Sequence, residues 1–161
     1  MSESMLYHLI YPKRETDIIQ KSVVFIRVML GAVFISEGIQ KFLFSDSLGV
    51  GRFIKIGIPA PNLTAPFVGA VEIICGTLIL FGLFTSLASI PLIISMSVAI
   101  WTTKVPILME KGFWAMAHEA RTDWSMIIGL IFILISGGGQ LSMDWFRMKK
   151  FLKGESQEKK G

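Results

Sequence analysis

Five residues of this 161-residue chain combine a side-chain type and a setting that could do chemistry: Glu37, Lys41, Glu72, His118 and Arg121. Glu72 stands out. It is the only charge in the apolar run over residues 64–84, which is long enough to cross a bilayer. A carboxylate in that setting has to be paired, protonated or turned toward water. Glu37 and Lys41 lie four residues apart in a second apolar run, residues 22–44. Their order, Glu before Lys, is the favourable one for an i, i+4 pair on a helix. Carboxylates and an ammonium at one level of a membrane can exchange protons and hold a polar headgroup. Glu72, Glu37 and His118 are therefore the candidate catalytic groups. Glu37, Lys41, Glu72, Trp101 and Arg121 make the candidate ligand pocket. Arg27 and Asp123 read as structural charges, Arg27 reaching its helix end by snorkelling and Asp123 capping the helix that follows it.

The elements that must position these groups are helices. Four apolar runs, residues 22–44, 64–84, 87–103 and 124–143, each reach or approach the roughly 20 residues of a membrane span. The expected fold is all-α: a polytopic bundle of four transmembrane helices. If helix one runs outward and helix two inward, Glu37 and Glu72 lie about 10 Å and about 12 Å below the same surface at 1.5 Å per residue. Lys41 and Lys104 sit nearer that surface, and His118 to Asp123 enter the same layer. Gly31 and Gly38 share a helix stripe with Arg27 and Lys41, so another helix can approach there. The inner half looks nearly all apolar apart from Arg27. Residues 45–63 read as an outer loop with a short interfacial helix broken by Pro59 and Pro61, and residues 104–123 as a second outer segment. The chain thus divides into a polar N-terminal tail (1–21), a membrane domain (22–146) and a basic tail (147–161) expected to be disordered after residue 154.

Composition agrees. Hydrophobic residues make up 52% and charged ones only 17%, where a soluble domain carries about 25% charged. No cleavable leader is apparent before residue 22. The one cysteine, Cys75, cannot form an internal disulfide, and two histidines with one cysteine make no metal motif by spacing. The net charge of +4 sits in the two tails rather than on one face. That argues against nucleic acid and for both termini on the cytoplasmic side of the membrane, with lipid headgroups as partners. A homo-oligomer is compatible with all of this.

Several segments together resemble the DoxX family of small four-helix bacterial membrane proteins. They are Arg27-Val-Met-Leu-Gly31, Glu37-Gly38-Ile-Gln-Lys41-Phe42, Gly57-Ile-Pro59-Ala-Pro61, Val68-Gly-Ala-Val-Glu72 with Gly76, Gly82-Leu-Phe-Thr85, and Gly137-Gly-Gly-Gln-Leu-Ser142-Met-Asp144. The resemblance spans residues 22–146 and implies that fold. It also implies a link to quinone-dependent membrane oxidoreductases. On that reading the chain has no intrinsic cofactor, a quinone is a candidate ligand, Phe34, Phe42, Phe67 and Trp101 supply apolar walls, and a redox enzyme is the partner. The alternative is a non-enzymatic scaffold or assembly partner whose buried charges are structural. A small-solute carrier ranks behind both, because no polar path crosses the inner half.

Overall fold

The computed structural model describes residues 16–158, with side chains over 18–150. Residues 1–15 and 159–161, and with them most of the expected N-terminal tail, lie outside this range. All described elements are helices: α1 (Thr16–Leu43), α2 (Val50–Lys55), α3 (Pro61–Phe81), α4 (Thr85–Lys111), α5 (Phe113–Ser136) and α6 (Met143–Glu158). α1, α3 and α4 are long and apolar enough to cross a membrane. α5 has the length as well, but Glu119, Arg121 and Asp123 occupy its first half. α2 is the short helix expected in the first loop, and Pro61 opens α3 at a position that needs no backbone donor.

The second outer segment is where the structure departs most from expectation. Residues 104–123 are helical except at Gly112. α4 continues to Lys111 and α5 begins at Phe113, because Gly112, at φ 81°, reverses the chain alone. Asp123 therefore lies within α5 and caps nothing. As the triple glycine at 137–139 leads one to expect, Gly137 closes α5 at Ser136; the departure is that a new helix, α6, starts at Met143 and continues through part of the segment expected to be disordered.

α1 packs mainly on α3, and α4 mainly on α5, each pair antiparallel. The shared core draws on all four helices: Val23, Leu30 and Phe34 of α1, Cys75 and Ile79 of α3, Ala88 and Leu92 of α4, and Met126, Leu130 and Ile133 of α5. In α4 the buried residues stop at Leu92, within its first two turns. The two helix pairs are thus joined at the end from which α1 enters and α6 leaves, here called the termini end. Toward the opposite loop end this shared core does not continue among the described residues.

Candidate functional site

The α1–α3 contact is made by glycine meeting glycine. A Cβ on Gly31 would fall 2.9 Å from the carbonyl oxygen of Gly76, and one on Gly38 2.6 Å from that of Gly69. The spacing is seven residues on each helix, so the two backbones touch at two levels. Lys41 lies three residues beyond Gly38 toward the loop end, and Glu72 three beyond Gly69 toward the termini end. Side chains lean toward the N-terminus of their own helix. In an antiparallel pair, Lys41 and Glu72 therefore lean toward each other. The Lys41 Nζ atom donates to Glu72 Oε2 at 2.6 Å. It lies 3.9 Å from Glu37 Oε2 and 3.5 Å from the Glu37 carbonyl oxygen.

Burial separates the two carboxylates. The Glu72 side chain is 6% exposed and that of Glu37 55%. Glu37 nevertheless continues the stripe Val23, Arg27, Leu30, Phe34, each at most 3% exposed, at the i+3 and i+4 steps of one helix face. The stripe becomes exposed at Glu37, beyond the last α1 residue of the shared core, Phe34. On the α4–α5 pair, Lys104 Nζ lies 3.3 Å from Asp123 Oδ2. This oxygen is buried and receives no hydrogen bond, so the contact is a charge pair without donor alignment.

Of the residues expected to form the pocket, Glu37, Lys41 and Glu72 come together. Trp101 and Arg121 do not join them. Trp101 is 73% exposed, and the Arg121 guanidinium turns back onto the His118 carbonyl of its own helix. His118 is exposed on α5. Asp123 pairs with Lys104 instead of capping a helix.

Arg27 corrects a further expectation. It does not snorkel to solvent but is 2% exposed. Its guanidinium donates to the carbonyl oxygens of Ile79 (3.1 Å), Leu80 (3.0 Å), Gly138 (2.8 Å) and Leu141 (3.0 Å). Those oxygens are exposed by the end of α3 and by the turn after α5, where no helical donor follows. Close by, Gly82 at φ 71° closes α3, with Gly82 N–H bonded to Ile79 O and Leu83 N–H to Leu78 O. Any side chain there would meet Arg27 Nη1 and Ser142 Cβ. Phe84 also has a left-handed backbone, φ 48°, which costs a non-glycine residue energy. The Asp144 carboxylate holds it by accepting the Phe84 N–H (3.0 Å) together with the Thr85 N–H and hydroxyl (3.2 and 3.1 Å).

The expectation of a nearly apolar inner half is therefore overturned: buried Arg27, Thr85, Ser89 and Ser142 gather at the termini end. A shallow open cavity of about 470 Å³ lies beside them, between Gln20, Ser142 and Trp145. Sequence reasoning gave Thr85, Ser142 and Asp144 no role. The available signal was the pairing of two glycine-rich turns, residues 82–85 and 137–144, each carrying a hydroxyl or carboxylate. Among the described residues, no group of three or more His, Cys, Asp or Glu is placed to hold a metal.

Comparison with known proteins matches this architecture to a family. An uncharacterised membrane protein of Mycobacterium tuberculosis, Rv3486, is 54% identical over 129 residues, covering 76% of this chain and 79% of the relative. "Putative oxidoreductase CatD" of Bacillus subtilis is 27% identical over 124 residues, covering 77% of this chain and 85% of the relative. No solved structure matches. The DoxX family model matches residues 22–105, which hold the glycine contacts, the Lys41–Glu72 pair and Arg27, and the chain is a membrane protein of the DoxX family.

Proposed function

We propose that this chain is the membrane subunit of a quinone-linked oxidoreductase system in the bacterial inner membrane. In this reading α1, α3, α4 and α5 all cross the bilayer. Both termini face the cytoplasm, as the concentration of basic residues near the chain ends favours. Glu37, Lys41 and Glu72 form the headgroup site. The observation that carries the proposal is an open carboxylate, Glu37, beside a closed Lys41–Glu72 pair on a stripe that is otherwise buried. The name of the Bacillus subtilis relative agrees with redox work.

The residues present fit a quinone. Phe34 closes the stripe below Glu37, and Phe42 and Phe67, both exposed, supply apolar surface for a lipid-soluble tail. A bound quinone would supply the electron-transfer chemistry, with a redox enzyme as the partner. Glu72 holds the Lys41 side chain in place. Lys41 then offers an ammonium hydrogen to a carbonyl oxygen of the ligand. Glu37, reachable from outside, exchanges protons. His118, exposed on α5, is left outside this site.

Binding of a quinone analogue to the purified protein tests the reading. Glu37→Gln should weaken it about tenfold, the scale of one charge-assisted hydrogen bond, with folding intact. Unchanged affinity would remove the headgroup site. A second reading, a non-enzymatic assembly scaffold, is favoured by the place of the Lys41–Glu72 pair, immediately beside the Gly38–Gly69 contact. It expects Glu37→Gln to be inert and Glu72→Gln to lower folding yield.

A further inference from the structure

We propose that the termini end of the molecule, centred on α6, is a docking surface for anionic phospholipid headgroups. The first turn of α6 is pinned where the membrane-length helices stop. The Asp144 N–H donates to the Gly82 carbonyl oxygen at 3.0 Å, and its carboxylate holds Phe84 and Thr85. α6 therefore leaves the bundle beside Phe81 and Thr85, the ends of two candidate spans. The Ser142 hydroxyl accepts the Trp145 N–H and fixes the helix start.

The exposed face of α6 is mixed in a particular way. Met143, Phe146, Arg147 and Lys150 follow i, i+3, i+4 and i+7, and all four are exposed. Lys149 flanks them. The Arg147 guanidinium sits 5.7 Å above the Phe84 ring, a cation–π contact that keeps the charge beside an exposed aromatic surface. Apolar and basic groups interleaved at the level where spans end suit an interface of acyl chains and phosphates. Their level favours lipid over a soluble acidic partner, because Met143 and Phe146 stand where the membrane-length helices end.

The charge distribution selects the sign of the lipid. Residues 35–136 hold six basic and six acidic residues, and the rest of the chain holds ten basic and six acidic. Of the described side chains outside that stretch, Lys21, Arg147, Lys149 and Lys150 are exposed basic groups at the termini end. A basic, aromatic-bearing helix against the membrane attracts anionic headgroups selectively.

The full-length chain, with Trp101, Trp114 and Trp124 changed to Phe, reports from Trp145 alone. It is reconstituted in phosphatidylcholine nanodiscs carrying a minor share of brominated phosphatidylglycerol, or the same share of brominated phosphatidylcholine. Quenching by the anionic lipid should be about twofold stronger, reflecting local enrichment around several basic side chains. The excess should vanish in the Arg147→Gln, Lys149→Gln, Lys150→Gln variant, whose changes touch only exposed groups. It should persist in Arg52→Gln, Lys55→Gln at the other end. Equal quenching by both lipids in the starting protein, or an excess that survives the triple change, would overturn the proposal.

Discussion

At the residue scale, the Lys41–Glu72 pair is the most sensitive point. Removing one partner leaves the other buried and uncompensated, which costs about 3–5 kcal/mol. Lys41→Met should lower stability by that order in a detergent-unfolding titration, and more than Glu72→Gln, which keeps the shape of the side chain while removing its charge. Equal and small losses would mean that the pair is solvated. Asp144→Ala should cost about 1–2 kcal/mol, because it uncaps the start of α4 and releases Phe84 from its strained backbone. Circular dichroism during thermal unfolding would register that loss. The two sites differ in how far the sequence announced them. Glu72 was conspicuous because a charge in an apolar run is costly, and depth counting placed Glu37 at its level with Lys41 nearer the surface. Arg27 and Asp144 spend their hydrogen bonds on backbone groups of distant turns, and backbone partners leave no complementary side chain for a pattern to match.

At the element scale, the α1–α3 contact depends on having no side chain at Gly38. A Cβ there would lie 2.6 Å from the Gly69 carbonyl oxygen and 2.7 Å from Ile73 Cγ1, and both are held by helix packing. Gly38→Leu should destabilise by about 1–3 kcal/mol or more, as overpacking does, and should lengthen the Lys41–Glu72 contact. An intramolecular distance measured by spin labels on α1 and α3 should increase by an ångström or more. An unchanged distance would mean that the contact is looser than the geometry says. The stripe of Gly31 and Gly38 was legible from helical spacing. Its matching glycines on α3 were visible as residues but not as partners, because the offset between two helices depends on the loop that joins them. The boundary of α5 was misplaced for a local reason: the polar stretch from His118 to Asp123 reads as a loop by composition, yet a lone glycine can turn the chain and leave such residues on a helix surface.

At the scale of the whole molecule, the core shared by all four long helices lies toward the termini end and stops short of Glu37. That asymmetry makes a prediction about access. In a Cys75→Ala background, a cysteine at position 37 should react with a polar, membrane-impermeant thiol reagent. A cysteine at position 30, where Leu30 is fully buried, should stay protected, with rates differing by at least about a hundredfold given the opening free energies of packed cores. Comparable rates at the two positions would show that the helix pairs close over Glu37. Reaction from only one side of sealed vesicles would also establish which face of the membrane the site addresses.

The last α4 residue that touches the shared core is Met96, so the stretch of the α4–α5 hairpin beyond it is a lever that pivots at that level. From Met96 to Lys111 the arm is about 22 Å at 1.5 Å per residue. A tilt of about 10° at the pivot would carry its tip through about 4 Å, most of a helical turn. A small adjustment where the four helices share their core would in this way become a large displacement at the loop end.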